Sequence, residues 1–206
     1  MLDLKRPERF YYILLRPNWD SWLARGTFVI AAYAALLLSW IAVVDLAGFR
    51  NAALLWPLGT STAIAGLATA SYTGFLFAQA KGRVLWMKRG FWIHLAVQAL
   101  LAGSSGLALL DAGLGVERPM LRTIFFVALI MQLLFLLSEV AMAPRGRERE
   151  YRLAVRLITH GPYAPTHWML GIGLGIVLPL VLLFFGGPAL WPLGAFCALV
   201  GLWFEE

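Results

Sequence analysis

The chain has 206 residues, of which 61% are hydrophobic and only 14% charged, with a mean hydropathy of +0.76. A soluble domain is nearer half apolar, so this composition excludes one and points to an integral membrane protein. The net charge of +6 does not point to nucleic acid, because the basic residues edge apolar runs and no nucleic-acid motif accompanies them.

Every backbone polar group in lipid must be satisfied internally, which leaves helices or closed barrels. Long apolar runs without period-2 alternation select helices. The expected fold class is all-α, a polytopic transmembrane helical bundle.

In chain order, residues 1–26 ("MLDLKRPERFYYILLRPNWDSWLARG") mix basic and aromatic residues and are divided by Pro7 and Pro17. They read as a basic interfacial segment, with no cleavable signal peptide, because no isolated apolar region and cleavage site occur. Residues 27–206 read as the bundle, with six spans at about 27–48, 54–78, 90–111, 120–143, 167–185 and 188–204, each near the length that crosses a bilayer. The second span carries Gly59, Ala63, Gly66, Ala70 and Gly74, small residues that permit close helix contact. Residues 144–167 read as a loop, and Gly186-Gly187-Pro188 as a tight turn between the last two spans. Most tryptophans fall near span ends, as in an aromatic belt.

Of the 17 Lys and Arg, five lie in residues 1–26 (Lys5, Arg6, Arg9, Arg16, Arg25), four in 81–89 (Lys81, Arg83, Lys88, Arg89) and five in 145–156 (Arg145, Arg147, Arg149, Arg152, Arg156). With six spans these rich segments share one side, and only Arg50, Arg118 and Arg122 fall on the other. The positive-inside rule then predicts both termini on the cytoplasmic side of the cell membrane.

One cysteine, Cys197, cannot form a disulfide within the chain or supply the four thiolates of an iron–sulfur cluster. Of the three histidines only His94 lies inside a span, so no haem and no metal is expected on this chain. A charge inside a membrane costs about 2.5–3.5 kcal/mol on insertion scales, which singles out Glu139 near the end of the fourth span. It either snorkels to the surface, pairs with a loop arginine, or handles protons. Asp45 and Asp111 read as helix-end groups. Alternating the spans puts Tyr72, His94 and Glu139 at similar depth beneath the basic surface. Gln98 sits one turn deeper than His94 on the same face, and Gly74 leaves room beside Tyr72 for a flat ligand.

The phrases "LDLKRPERFYYILLRPNWDSWLARG", "YTGFLFAQAKGRVLW" and "RLITHGPYAPTHW" resemble the NrfD/polysulfide reductase membrane-subunit family over nearly the whole chain. The first two, with Asp3-Leu4-Lys5-Arg6-Pro7, Arg16-Pro17-Asn18 before Ser21-Trp22, and Tyr72-Thr73-Gly74, are the more specific. The resemblance implies a haem-free bundle exchanging electrons between quinone and an iron–sulfur, ferredoxin-like subunit that serves a molybdopterin catalytic subunit. Tyr72 matches the family's tyrosine that resembles a quinone headgroup ligand, and Glu139 falls where many members carry an acid. The family usually has eight or more spans, and its Asp-Leu-x-Arg-Pro phrase follows the second. Here that phrase begins at residue 3, so two preceding spans are expected to be missing.

The expected function is that of the quinone-interacting membrane subunit of such an oxidoreductase, with menaquinone or ubiquinone as substrate. Tyr72, His94, Gln98 and Gly74 are the expected quinone site, Glu139 and His94 the proton relay. Lys81, Arg83, Lys88, Arg89, Arg145, Arg147 and Arg149 are the expected docking surface for the iron–sulfur partner. A proton-conducting or transporter bundle and a passive membrane anchor are the alternatives.

Overall fold

A computed structural model of the chain describes residues 15–114 and 118–205. Lys5, Arg6, Arg9 and the Asp3–Pro7 phrase lie outside the described residues. Among those described there is no strand. Five helices are long and apolar enough to cross a membrane, and a sixth, ending at Glu205, is shorter.

The chain divides into two compact units, residues 1–77 and 78–206. The first holds α1 (Trp22–Leu46), whose last turns from Ile41 are π-helical, and α2 (Ala52–Ala78). Helix α1 starts at Trp22, inside the stretch read as interfacial, because the chain has already turned: the Ser21 amide bonds Asn18 O at 3.0 Å and Arg25 N–H bonds Ser21 O at 3.1 Å. Arg25 is thus helical, and its guanidinium turns back to the Trp19 carbonyl and lies 4.9 Å from the Trp22 ring centroid. That is snorkelling, with the stem on the helix and the charge at the surface.

Helices α1 and α2 run antiparallel with aromatic rings seated on glycines. Tyr72 lies against Gly26 so closely that a Cβ there would overlap the ring. A Cβ on Gly66 would sit 3.3 Å from Tyr33, and one on Gly59 3.5 Å from Trp40. Gly26, Tyr33 and Trp40 are spaced by seven, the interval that keeps residues on one helix face. The small residues of α2 therefore receive rings from α1.

The second unit contains α3 (Phe91–Leu114), α4 (Pro119–Leu137), α5 (Glu148–His160), α6 (Thr166–Phe185) and α7 (Gly187–Glu205). Helix α3 packs on both α4 and α7, and α7 packs on α6. Leu101 and Ala108 of α3, Phe125 and Leu129 of α4, Ile176 of α6 and Ala198 of α7 meet in one core. Cys197 is buried there too.

The turn expected at Gly186-Gly187 is present, with Gly187 at φ 64, a conformation glycine adopts without penalty. Helices α6 and α7 then touch backbone to backbone: a Cβ on Gly175 would stand 2.6 Å from the Gly201 Cα, and one on Gly201 would overlap Gly175. Lipid supplies no hydrophobic force between helices, so close contact of this kind holds them. Gly201→Val is expected to lose on the order of 1–3 kcal/mol through overpacking, read as denaturant unfolding in detergent. Gly103→Ala, where a Cβ meets nothing within 4 Å, serves as the neutral control.

Two expectations are corrected. Helix α4 ends at Leu137, and Glu139 opens a 3₁₀ turn, Glu139–Met142. The stretch read as a loop carries α5. Its apolar Tyr151, Val155 and Ile158 repeat at helical spacing among charged residues, and Tyr151 and Val155 are buried. The start of α5 is secured by the Glu148 carboxylate, which accepts the Gly146 N–H at 2.9 Å. Its own N–H and that of Gly146 hold its pKa below the ordinary carboxylate value.

Candidate functional site

The basic segments 81–89 and 145–156 lie at one end of the second unit, as charge patterning predicts. Arg89 N–H donates to Met142 O at 2.9 Å, and Arg147 donates to the Lys81 carbonyl. Arg147 also pairs with Glu150 at 2.5 Å, and the Arg83 guanidinium lies 4.3 Å from the Trp86 ring centroid. Lys81, Arg83, Arg89, Arg145 and Arg149 are exposed.

Lys88 is not. Its ammonium is 2.7 Å from Glu139 Oε1, with side chains only 7% and 14% exposed. Glu139 thus pairs with a buried lysine from the preceding loop and not with a loop arginine. The Tyr151 hydroxyl donates to the Glu139 carbonyl at 3.0 Å, and burial, then the Glu139 charge, push the Tyr151 pKa up. The result is a closed knot joining the loop before α3, the turn after α4, and α5.

His94, one turn into α3 and 2% exposed, meets a different acid. Its Nε2 is 3.1 Å from Glu205 Oε1 at the end of α7. Gln132, fully buried on α4, places Nε2 at 2.7 and 2.5 Å from the two Glu205 oxygens and 3.2 Å from His94 Nε2. Rotating that amide would set its oxygen against the carboxylate, so the nitrogen faces inward. Phe135 at 5.3 Å and Phe91 at 6.3 Å, centroid to centroid, wall the imidazole. Two buried atoms at the edge of this trio, His94 Nδ1 and Gln132 Oε1, have no hydrogen-bond partner among the described residues.

Such a trio handles one proton in two ways. A neutral imidazole accepts a Gln132 N–H at Nε2. An imidazolium donates from Nε2 to the Glu205 carboxylate. Gln98 is half-buried one turn deeper and takes no part; the amide that joins His94 is Gln132. Neither Gln132 nor Glu205 was singled out from the sequence. A glutamine inside the apolar run "LIMQLLF" was the available signal, whereas nothing local marks Glu205.

Tyr72, in the first unit, is half-buried, and Gly74 is buried. Beside Tyr72 on α2, Phe75 stacks on Trp22 with centroids 4.3 Å apart. Among the described residues none bonds to the Tyr72 hydroxyl, while its ring is fixed over Gly26. The cleft of about 320 Å³ on α2, lined by Leu55, Trp56, Gly59, Thr60 and Ala63, opens toward the other end of that helix.

At the opposite end of the second unit, Asp111 is buried and its Oδ2 is 3.3 Å from Arg118 Nε. Among the described residues no N–H is aligned on that oxygen, so the contact with Arg118 is an ion pair without a hydrogen bond. Arg122 donates to the Leu183 carbonyl near the end of α6. These are helix-end groups, as expected for Asp111.

Taken together, the apolar spans, the basic end and the buried polar trio define a multi-pass helical membrane protein. Residues 1–197 match the family model described as polysulphide reductase, NrfD. The chain belongs to that family, whose members are membrane subunits of polysulfide-reductase-like oxidoreductases. A comparison with curated proteins finds no match.

Proposed function

We propose that the chain is the quinone-interacting subunit of a multi-subunit oxidoreductase in the cytoplasmic membrane, passing electrons between a membrane quinol and an iron–sulfur partner that serves a molybdopterin subunit. The observation that carries this reading is the Tyr72 hydroxyl: bonded to none of the described residues, borne on a ring held in place, within Tyr72-Thr73-Gly74. A phenol both donates and accepts, which suits a quinone carbonyl and a quinol hydroxyl alike. Oxidation of a quinol releases two protons with two electrons, and in the second unit His94 and Glu205 form the group suited to hold a proton. Glu139, neutralised by Lys88, leaves the relay. Lys81, Arg83, Arg89, Arg145, Arg147 and Arg149 remain the docking surface for the iron–sulfur subunit, and Lys88 leaves it because it is buried and paired.

Tyr72→Phe in the assembled complex tests the reading. The change keeps the ring and deletes one hydroxyl, so a ligand loses a hydrogen bond of about 0.5–1.5 kcal/mol, and turnover falls further if that bond tightens in the transition state. Quinol-driven turnover is expected to drop while turnover from an artificial donor feeding the soluble subunits holds. Equal loss in both assays, or in neither, would return Tyr72 to the role of interfacial anchor.

A proton-conducting bundle is the second reading, favoured by the buried polar residues His94, Ser104, Ser105 and Asp111 along α3. Proton flux through the chain in liposomes without any electron donor would establish it.

A further inference from the structure

Helix α5 carries a cationic cleft that the proposed function does not use. Arg152 and Arg156 are one turn apart on one face of the helix, and with Val155, Thr159 and His160 they line a cleft of about 310 Å³. Among the described residues the acids of α5 form no ion pair with them: Glu150 is paired to Arg147 and Glu148 accepts the Gly146 N–H. Among the described residues neither Arg152 nor Arg156 forms an ion pair, although the Arg152 charge is felt at Glu148.

Beside the cleft the surface is apolar. Leu153 and Leu157 on α5 are 56% and 55% exposed. Trp168, exposed at the start of α6, donates its indole N–H to Thr159 O at 2.9 Å and so stands at the end of the cleft. Two guanidiniums, and an imidazole whose Nδ1 is 2.7 Å from the Thr159 hydroxyl, adjoin exposed leucines and an indole on the positive side of a membrane bundle. That combination matches the two halves of an anionic lipid, a phosphate for the cations and acyl chains for the apolar flank.

We propose that this cleft binds the phosphate headgroup of an anionic glycerophospholipid. Guanidinium pairs suit a phosphate because their N–H groups match its oxygens. An acidic protein surface is the rival occupant, since arginine and tryptophan also serve protein interfaces, and the last arm of the test separates the two.

The test is native mass spectrometry of the full chain in detergent, titrated separately with phosphatidylglycerol, phosphatidylcholine and inorganic phosphate. Phosphatidylglycerol is expected to bind well above phosphatidylcholine, and millimolar inorganic phosphate is expected not to displace it. The double variant Arg152→Gln/Arg156→Gln is expected to weaken phosphatidylglycerol binding about 30-fold, since each surface cation contributes roughly a factor of five toward anionic lipid. The control Lys81→Gln/Arg145→Gln removes the same charge from the same side, outside the cleft, and should leave binding within about twofold, well short of that per-cation factor. Equal loss in both variants overturns the site, as does equal binding of phosphatidylcholine. Displacement by inorganic phosphate reassigns the cleft to a free anion and overturns the lipid. Unchanged lipid binding with weakened association of the iron–sulfur subunit assigns the cleft to protein docking and overturns the proposal as well.

Discussion

Lys88→Met is expected to destabilise the protein by about 3–5 kcal/mol, because it leaves the Glu139 carboxylate buried without its counter-charge. The pair is 2.7 Å apart and both side chains are largely shielded from solvent, so water cannot replace the ammonium. Glu139→Leu alone should cost a similar amount by stranding the lysine. The double variant, Lys88→Met with Glu139→Leu, should recover most of the loss, since apolar groups of similar volume often replace a buried ion pair at little cost. The double-mutant cycle in detergent unfolding gives the coupling directly. Losses that simply add would show that the two charges do not depend on each other, and would free Glu139 for proton traffic.

Glu205→Gln should leave the fold intact and lower quinol-driven turnover on the order of 10²-fold, the usual contribution of a positioned proton-transfer group. The substitution keeps an oxygen for the Gln132 amide, which sits 2.7 Å from Glu205 Oε1, but removes the carboxylate that could take a proton from His94 Nε2. His94→Gln should lower turnover by a comparable factor. The double variant should be little worse than either single one, because groups acting as a unit do not add. Turnover from an artificial donor to the soluble subunits should hold throughout. If Glu205→Gln instead unfolds the protein and a folded His94→Gln variant turns over normally, the trio is packing and not proton chemistry.

Much of the architecture is local and therefore legible. Apolar runs long enough to span a bilayer appear as helices, ends shifting by a few residues where Ser21 or Ser138 redirects the backbone. Lys81 to Arg89 and Arg145 to Arg156 share a side because orientation follows charge near span ends, which the sequence displays without any packing. The site was less legible because its partnerships are distant. His94 and Glu139 read as equal in depth, which left their partners open: Glu139 bonds Lys88, 51 residues away, and His94 bonds Glu205, 111 residues away. Depth follows from counting along a helix. Which residues face each other depends on how α3, α4 and α7 are rotated about their axes, and that rotation is set by the shape of the whole core. Sequence by itself determined the membrane class, the spanning helices and the basic side; only the tertiary structure decided that residues 148–160 form a helix, that Lys88 pairs with Glu139 and that Gln132 and Glu205 meet His94.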